Sequence, residues 1–548
     1  MGKMSIFCKK NKTLYNKNVR LHLLYKKSIF KKDLRNFIEM KKPIVQLLLI
    51  FTIVSIVLFL LNTSVISLYT FVGALWSITI VGISFVIFIE NRSPQSTLAW
   101  FLVLALLPVV GVLLYSIFGR SRWRRKKHLH RSEEQRKLFR EILEGRRLEL
   151  SLTVPLHERS IHLTEVVQKF GGGPAADRTT TKLLTNGDQT FSEILNAIEN
   201  AKHHIHIQYY IYKSDEIGTK VRDALIQKAK DGVIVRFLYD GLGSNTLRRR
   251  FLQPMKKVGI EIVEFDPIFS AWLLETVNYR NHRKIVIVDG EIGFTGGLNV
   301  GDEYLGRSKK FPVWRDSHLK IEGKALYKLQ AIFLEDWLYA SSGLNTYSWD
   351  QFMNRHYFPG KEIPDAEGAV QIVASGPSSD DKSIRNTLLA IMGSAKKSIW
   401  IATPYFIPDQ ETLTLLRLSA ISGIDVRILY PGKSDSIISD QASQSYFTPL
   451  LKAGASIYSY KDGFMHAKIV LVDDKIATIG TANMDVRSFE LNYEIISVLY
   501  ESETVHDIKR DFEEDFKHST EIKWNSFQKR SIKKRILESF MRLISPLL

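Results

Sequence analysis

From about residue 180 onward the chain repeats itself, and this narrows its fold more than any other feature. Ala201-Lys202 followed by IHIQYYI (205–211) is matched by Ala395-Lys396 followed by IWIATPYFI (399–407), and GVIVRFLYD (232–240) by GIDVRILYP (423–431). The order within the two copies is the same. Each reads as helix, apolar strand, helix, strand, over 192–202, 205–212, 217–231 and 233–239 in the first. Solenoid arrays repeat every roughly 20–50 residues, so a period of about 190 indicates two duplicated domains instead. Strands alternating with helices predict an α/β sandwich with a largely parallel sheet in each copy. The domains are expected over 181–365 and 366–548, in pseudo-twofold arrangement.

Ahead of the repeat lie three stretches without a charged residue, 44–61, 68–89 and 98–118. Each is about long enough to cross a hydrocarbon layer roughly 30 Å thick. Three in so short a span are hard to bury in a soluble core. A cleaved signal peptide does not fit, because two further stretches follow the first.

The formal net charge of +19 belongs to the same region. Residues 1–42 hold 13 Lys or Arg against Asp33 and Glu39, residues 119–150 hold 12 against five Glu, and 43–118 balances Glu90 with Arg92. Residues 151–548 are left with +1. A nearly neutral repeat argues against a nucleic-acid partner, since a phosphate-tracking domain is itself basic. The pair 68–89 and 98–118 reads as a helical hairpin that leaves Arg120–Lys127 in the cytoplasm, where basic loops are retained. Stretch 44–61 is ambiguous between a third crossing and a partly inserted segment, and Met40, before Lys41 and Lys42, is an alternative start. The expected order is a basic extension (1–42), a membrane region (43–118), and a basic juxtamembrane segment and linker (119–180) whose cations attract anionic lipid. The single cysteine, Cys8, excludes a disulfide framework, a thiolate zinc cluster and a core cysteine nucleophile.

Each copy ends in the same constellation. The first is His282-Arg-Lys284, IVIV, Asp289, six residues, then Gly296-Gly297-Leu-Asn299; the second is His466-Ala-Lys468, IVLV, Asp473, six residues, then Gly480-Thr481-Ala-Asn483. Side chains alternate along a strand, so His and Lys two apart share a face while the apolar run continues into the core. The glycines allow a tight turn that brings the Asn back beside them. A lone His-x-Lys would be a surface strand; its duplication at equivalent positions sets that reading aside. His203, His204 and His206 are more closely clustered but lack acidic neighbours, and the counterpart strand has Lys397, Ser398 and Trp400, so they are not read as metal ligands.

The doubled His-x-Lys-x4-Asp-x6-Gly-x2-Asn pattern resembles the phospholipase D superfamily. Over 68–548 the chain resembles bacterial cardiolipin synthases, through RSPQSTLAWFLVLALLPVVG (92–111), NHRKIVIVDG with GGLNVGDEYLG, VWRDSH (313–318), PYFIPD (404–409) and GTANMDVRSFELNYE (480–494). The resemblance implies two phospholipase D-like α/β domains behind a membrane region, in a multi-pass protein of the bacterial cell membrane with its catalytic domains facing the cytoplasm. It implies phosphatidyl transfer between two phosphatidylglycerols, giving cardiolipin and glycerol through a phosphohistidine, with no cofactor and no metal. His282, Lys284, Asp289, His466, Lys468 and Asp473 are its motif residues, and it makes His282 the nucleophile.

The chemistry of the residues agrees. A phosphodiester is attacked at phosphorus while an acid protonates the leaving alkoxide, and imidazole serves both roles near neutral pH. Lys284, Lys468, Asn299 and Asn483 are suited to the non-bridging oxygens. Each histidine needs an orienting carboxylate: the resemblance places Glu494 in that role, and Asp316 lies near the corresponding offset in the first copy. Asp289 and Asp473, at strand ends, read as scaffold more than as proton carriers.

The motifs alone leave lipid hydrolysis, nuclease cleavage and other phosphatidyl transfers open. The apolar hairpin argues against the nuclease, synthesis over hydrolysis rests on the resemblance, and the intact pairs argue against a silent membrane scaffold. Finally, 531–548 reads as an amphipathic helix, packed on the core or lying at the membrane face.

Overall fold

The computed structural model describes residues 65–89, 94–107, 110–112, 114–115, 152, 154–267, 279–341, 356–377 and 382–544. The basic extension, the stretch 44–61 and the juxtamembrane segment 119–150 lie outside these residues. The chain divides into two compact units, Met1–Arg92 with Phe101–Val112, and Ser93–Trp100 with Leu113–Leu548. In the smaller, Val65–Ile89 is a helix of 25 residues without a charged side chain. Its side chains are described without a gap only over 76–89. A second helix, Pro94–Leu106, of which Pro94–Trp100 is assigned to the larger unit, has 13 residues, or about 20 Å at 1.5 Å per residue. Among the described residues no helix is long and apolar enough to cross a membrane, so the expected two-helix crossing rests on the sequence.

The larger unit holds the repeat. Strands β1 (Thr179–Thr185), β2 (His204–Tyr209), β3 (Ile234–Asp240), β4 (Glu261–Phe265), β5 (Ile285–Val288), β6 (Ile292–Gly296) and β8 (Ser317–Gly323) form one sheet. Its order is β1-β8-β6-β5-β2-β3-β4, with the two-residue β7 (Trp314–Arg315) outside it. The second sheet uses β9 (Ala369–Ser375), β10 (Ser398–Ala402), β12 (Asp425–Pro431), β13 (Ser456–Tyr460), β15 (Ile469–Val472), β16 (Ile476–Gly480), β18 (Glu494–Tyr500) and β19 (Ser519–Glu521). Read from its β9 edge the order is β9-β18-β16-β15-β10-β12-β13-β19, the first sheet's order with one strand added. The short strands β11 (Phe406–Ile407), β14 (Phe464–Met465) and β17 (Met484–Asp485) pair outside it.

The expected largely parallel sheet is corrected to a mixed one. Strands β2, β3 and β4 run parallel, as do β10, β12 and β13, whereas β5, β6, β8 and β1 and their counterparts pair antiparallel. The cause lies in the motif itself. Only Asp289–Glu291 join β5 to β6, and only Asp473–Lys475 join β15 to β16, whereas a parallel return needs a crossover of about a dozen residues. Both turns pass through left-handed backbone, at Asp289 and Gly290 (φ 56° and 67°) and at Asp473 and Asp474 (φ 54° and 56°).

The apolar runs IVIV and IVLV are continuous because both faces of the strand are buried. Ile285 and Ile287 join Ile469 and Leu471 in a core shared by the two sheets, together with helix Leu326–Ser341. Val286 and Val288 face the outer core of the first sheet, under helices Asn186–Glu199 and Glu216–Lys230. Val470 and Val472 face that of the second, under Ser383–Gly393 and Gln410–Ile421. Each such side chain contributes about 1.5–3 kcal/mol by leaving water. The motif strands are thereby fixed between the shared core and the outer cores of the larger unit.

The C-terminal helix runs from Ile532 to Ile544 and packs along helix Ile437–Ser445. It lies on the core of the second sheet through the half-buried Met541, while Ile532, Ile536, Leu537, Phe540 and Leu543 are exposed.

Candidate active site

The two copies meet through backbone pairing beside each motif. Asn281 pairs in parallel with Tyr493, and β14 pairs in parallel with β7 so that Met465 lies opposite Arg315. The amide of His282 donates to the Tyr493 carbonyl at 2.9 Å, and that of His466 to the Arg315 carbonyl at 2.7 Å. Each histidine is therefore laid beside the first residues of a strand from the other copy. His282 donates through Nδ1 to Glu494 Oε2 at 2.9 Å, and His466 through Nδ1 to Asp316 Oδ2 at 2.6 Å. The two carboxylates are equivalent by register, each lying two residues ahead of the position opposite the motif glycine: His318 faces Gly296 and Ile496 faces Gly480. The motif His and Lys lie just ahead of β5 and β15 and not within them, because this segment pairs with the other copy.

The dyads differ in detail. Glu494 is fully buried and also accepts from Thr481 Oγ1 at 2.5 Å, Ser488 Oγ at 3.0 Å and Asn492 Nδ2 at 3.2 Å. Asp316, one carbon shorter, is held by its neighbour's amide, from Ser317 at 2.8 Å. The residue equivalent to Thr481 is Gly297, where an added Cβ would stand 2.0 Å from Asp316 Oδ1. At Gly296 a Cβ would come within 2.6 Å of the His318 Cα. The motif glycines thus serve close approach to the neighbouring strand rather than a turn.

Lys284 and Lys468 lie beneath the histidines, each donating from Nζ to the carbonyl of its own motif histidine. Burial lowers Lys284 to about 7 and Lys468 to about 8. It lowers His466 to about 4, assisted by Lys468 and opposed by Asp316, and it lowers His282 as well. Burial alone would raise both acids, yet His466 and Lys468 hold Asp316, and His282 and Lys284 hold Glu494, below the ordinary carboxylate range. With the imidazoles neutral and both lysines protonated, two ammonium groups balance two carboxylates. An arriving phosphodiester brings one negative charge, which favours proton uptake by either imidazole.

His282 and His466 line one cavity of about 520 Å³. Asn299 and Asn483 line it too, whereas the motif lysines do not. Asn299 is already engaged, accepting from Ile211 N at 3.1 Å and donating to the Tyr304 hydroxyl at 3.0 Å. Asn483 Oδ1 is buried without a partner. Rings close off the histidines: Tyr210 lies edge-on to His282 at 4.9 Å, and Trp314 lies 5.0 Å from His466.

Asp289 and Asp473 stand apart from the cavity. Asp289 accepts from the amides of Lys202, His203 and His204, and Asp473 from those of Lys396, Lys397 and Ser398 and from Arg159. Each ties the end of the motif strand to the start of the strand beside it. His206 is buried against Phe333, with Gln330 at 2.8 Å and the Arg236 guanidinium at 3.2 Å. Among the described residues no group of His, Cys, Asp or Glu is arranged to hold a metal ion.

Two arginines carry weight that the motif reading missed. Arg283, between the first His and Lys, is buried, pairs with Asp336 at 2.6 Å and donates to the carbonyls of Glu494 and Ser375 in the second copy. Arg315, beside Asp316, pairs with Asp511 at 2.9 Å and Asp515 at 2.8 Å. The repeat offers a signal for the first, since its counterpart is Ala467 and the asymmetry marks a side chain with a task of its own.

Comparison with known proteins agrees with this geometry. A domain described as "Cardiolipin synthase, PLD-like domain" matches residues 194–337 and 388–516, and "Phospholipase_D-nuclease N-terminal" matches 74–120. A Bacillus cereus protein named cardiolipin synthase 1 is 96% identical over 509 residues, 93% of this chain and the whole of that protein. A Geobacillus kaustophilus cardiolipin synthase is 42% identical over 478 residues, 87% of this chain and 93% of the other. Among solved structures, phosphatidylserine synthase of Haemophilus influenzae shares the fold at a TM-score of 0.52 and 16% identity, covering 67% of this chain and 95% of that one. The doubled motif, the paired sheets and identity along nearly the whole length converge, and the chain belongs to the bacterial cardiolipin synthases of the phospholipase D superfamily.

Proposed function

We propose that the protein joins two phosphatidylglycerols into cardiolipin and releases glycerol, by double displacement at one cavity. The observation that carries this is the pair of histidine–carboxylate dyads, each completed across the copies and both facing that cavity. Because Nδ1 of each ring is held by a carboxylate, Nε2 is the atom left for the substrate. With the phosphodiester bound, His466 is the ring that has taken up a proton, at Nε2; His282 Nε2 attacks phosphorus, the bond to the terminal glycerol breaks, and His466 gives its Nε2 proton to that oxygen and is left neutral. The second phosphatidylglycerol then loses a hydroxyl proton to His466, its oxygen attacks phosphorus, and the P–N bond breaks. The covalent step lets glycerol leave before the second headgroup enters the same space. The two dyads are alike in geometry, and the choice of His282 as nucleophile follows the family resemblance. The buried ammonium groups of Lys284 and Lys468 favour the charge that develops on the non-bridging oxygens.

The catalytic unit is anchored to the cell membrane by the N-terminal region and faces the cytoplasm. Support comes from the uncharged helix Val65–Ile89, on which Val81, Phe85 and Phe88 are exposed, and from the basic run that follows 98–118. Incubating the purified protein with labelled phosphatidylglycerol and extracting the lipid tests the reaction: labelled cardiolipin and free glycerol are expected, while phosphatidic acid alone would identify a hydrolase. A membrane-impermeant thiol reagent that reaches Ser308→Cys in intact cells would overturn the orientation.

A further inference from the structure

The C-terminal helix turns most of its apolar side chains outward. The face that packs on the domain carries Met541, half-buried against the core of the second sheet, and Glu538, 2% exposed and paired with Arg530 at 2.9 Å, with the exposed Arg542 at its edge, its guanidinium 4.8 Å from the Tyr446 ring. The face turned outward carries Ile532, Ile536, Phe540 and Leu543, of which Ile532 is 74% exposed. A surface helix ordinarily does the reverse. The helix it packs along, Ile437–Ser445, adds Ile437, 77% exposed, and Ile438. An apolar ridge across two packed helices marks a contact with another phase or molecule.

Two observations identify the occupant. The first is position: Asp435 and Ser439 both line the catalytic cavity, so Ile437, between them in sequence, stands at its mouth. The second is charge. Lys533, Lys534 and Arg535 are exposed on the C-terminal helix, and Lys310 and Lys433 converge at the mouth, with Nζ atoms 5.0 Å and 5.7 Å from the Phe311 ring centroid. Apolar side chains flanked by cations suit an anionic bilayer, where the chains enter the acyl boundary and the cations meet headgroups.

The geometry points to this ridge, formed by helices Ile437–Ser445 and Ile532–Ile544, as the surface by which the catalytic unit rests on an anionic lipid bilayer, with its cavity mouth at headgroup level. The inference rests on the lipid-transfer reading above and adds to it how the substrate enters. A lipid reaching the cavity from this side keeps its acyl chains against the ridge while its phosphate passes Lys310 and Lys433.

The test uses the full chain with Cys8→Ser, reconstituted in nanodiscs of phosphatidylglycerol and phosphatidylcholine. Spin labels at Ile437→Cys and Phe540→Cys should be accessible to oxygen and shielded from a water-soluble nickel chelate, while a label at Lys220→Cys stays open to the chelate. Shielding should fall in phosphatidylcholine alone and at high salt. Shielding that is the same in detergent and in every disc would show that another part of the chain, or a second copy, covers the ridge, and would overturn the inference, as would full chelate access in anionic discs. In parallel, the Ile437→Asp, Phe540→Asp double variant should make cardiolipin from bilayer phosphatidylglycerol roughly tenfold or more slowly. It should turn over a dispersed short-chain phosphatidylglycerol at the parental rate. Parental rates on both substrates would overturn the docking role; a parent that makes no cardiolipin from either would overturn the transfer reading and leave the labels to report docking.

Discussion

The imidazole of His282 donates through Nδ1 to the carboxylate of Glu494, 212 residues further along the chain, and His466 is served in the same way by Asp316. Each catalytic half-site is therefore assembled from both copies, and the carboxylate that orients a histidine is never the one from its own copy.

Exchange of this kind makes a diagonal prediction. With an activated substrate whose leaving group needs no acid, Glu494→Gln should behave like His282→Ala and accumulate no labelled covalent intermediate. Asp316→Asn should behave like His466→Ala and retain label. Both should lose on the order of 100-fold to 10,000-fold in cardiolipin formation. Label that is lost in Asp316→Asn and kept in Glu494→Gln would assign the nucleophile to His466.

Gly297 and Thr481 occupy equivalent positions beside acids of different length. Replacing Gly297 with Thr should displace Asp316 from His466, because a Cβ there meets Oδ1 at 2.0 Å, and should slow turnover roughly tenfold or more by misdirecting the ring. The double variant Gly297→Thr, Asp316→Glu copies the arrangement of the other dyad and should recover part of the rate. A single variant as fast as the parent would contradict the close approach.

The two lysines predict opposite pH trends for rate and stability. Burial lowers Lys284 to about 7 and Lys468 to about 8, so kcat/KM should fall on an alkaline limb as these cations are lost. Stability moves the other way. A base whose folded pKa is depressed binds fewer protons folded than unfolded between that value and its ordinary 10.5, and stability therefore rises with pH across that window. Unfolding midpoints and initial rates measured from pH 6.5 to 9.5 would show the divergence; a rate flat through pH 9.5 would remove the charged lysines from the mechanism.

Arg283→Ala strands the buried Asp336, which otherwise accepts from Arg283, Asn281 and Gln208. The loss of one buried partner should cost about 3–5 kcal/mol in unfolding experiments. Adding Asp336→Asn should restore much of it, since the stranded charge is then gone. Equal stability of the parent and Arg283→Ala would show that solvent reaches the pair.

The repeat, the motif strands and the paired His and Lys were legible because each rests on local spacing that recurs, whereas Glu494 was placed by the family resemblance. What was not legible depends on contacts made across the copies. Glu494 and Asp316 could be picked out as acids, yet nothing in their spacing says which histidine they face. Sheet direction was misread because the helix–strand alternation of 192–239 is local, whereas the three-residue turns at Asp289–Glu291 and Asp473–Lys475 reverse the remaining strands. The C-terminal periodicity identified a helix, and only its packing shows that the apolar side faces outward.

A symmetric dimer of one copy would have to use the same acid and the same neighbour at both half-sites, since one codon would specify each pair. Fusion into a single chain lifts that constraint, and the two half-sites have already drifted apart, with Asp316 beside Gly297 and Glu494 beside Thr481. A reaction in which one imidazole bonds to phosphorus while the other only ferries protons asks for unequal partners. Such unequal partners are open to a duplicated gene and closed to a self-paired one.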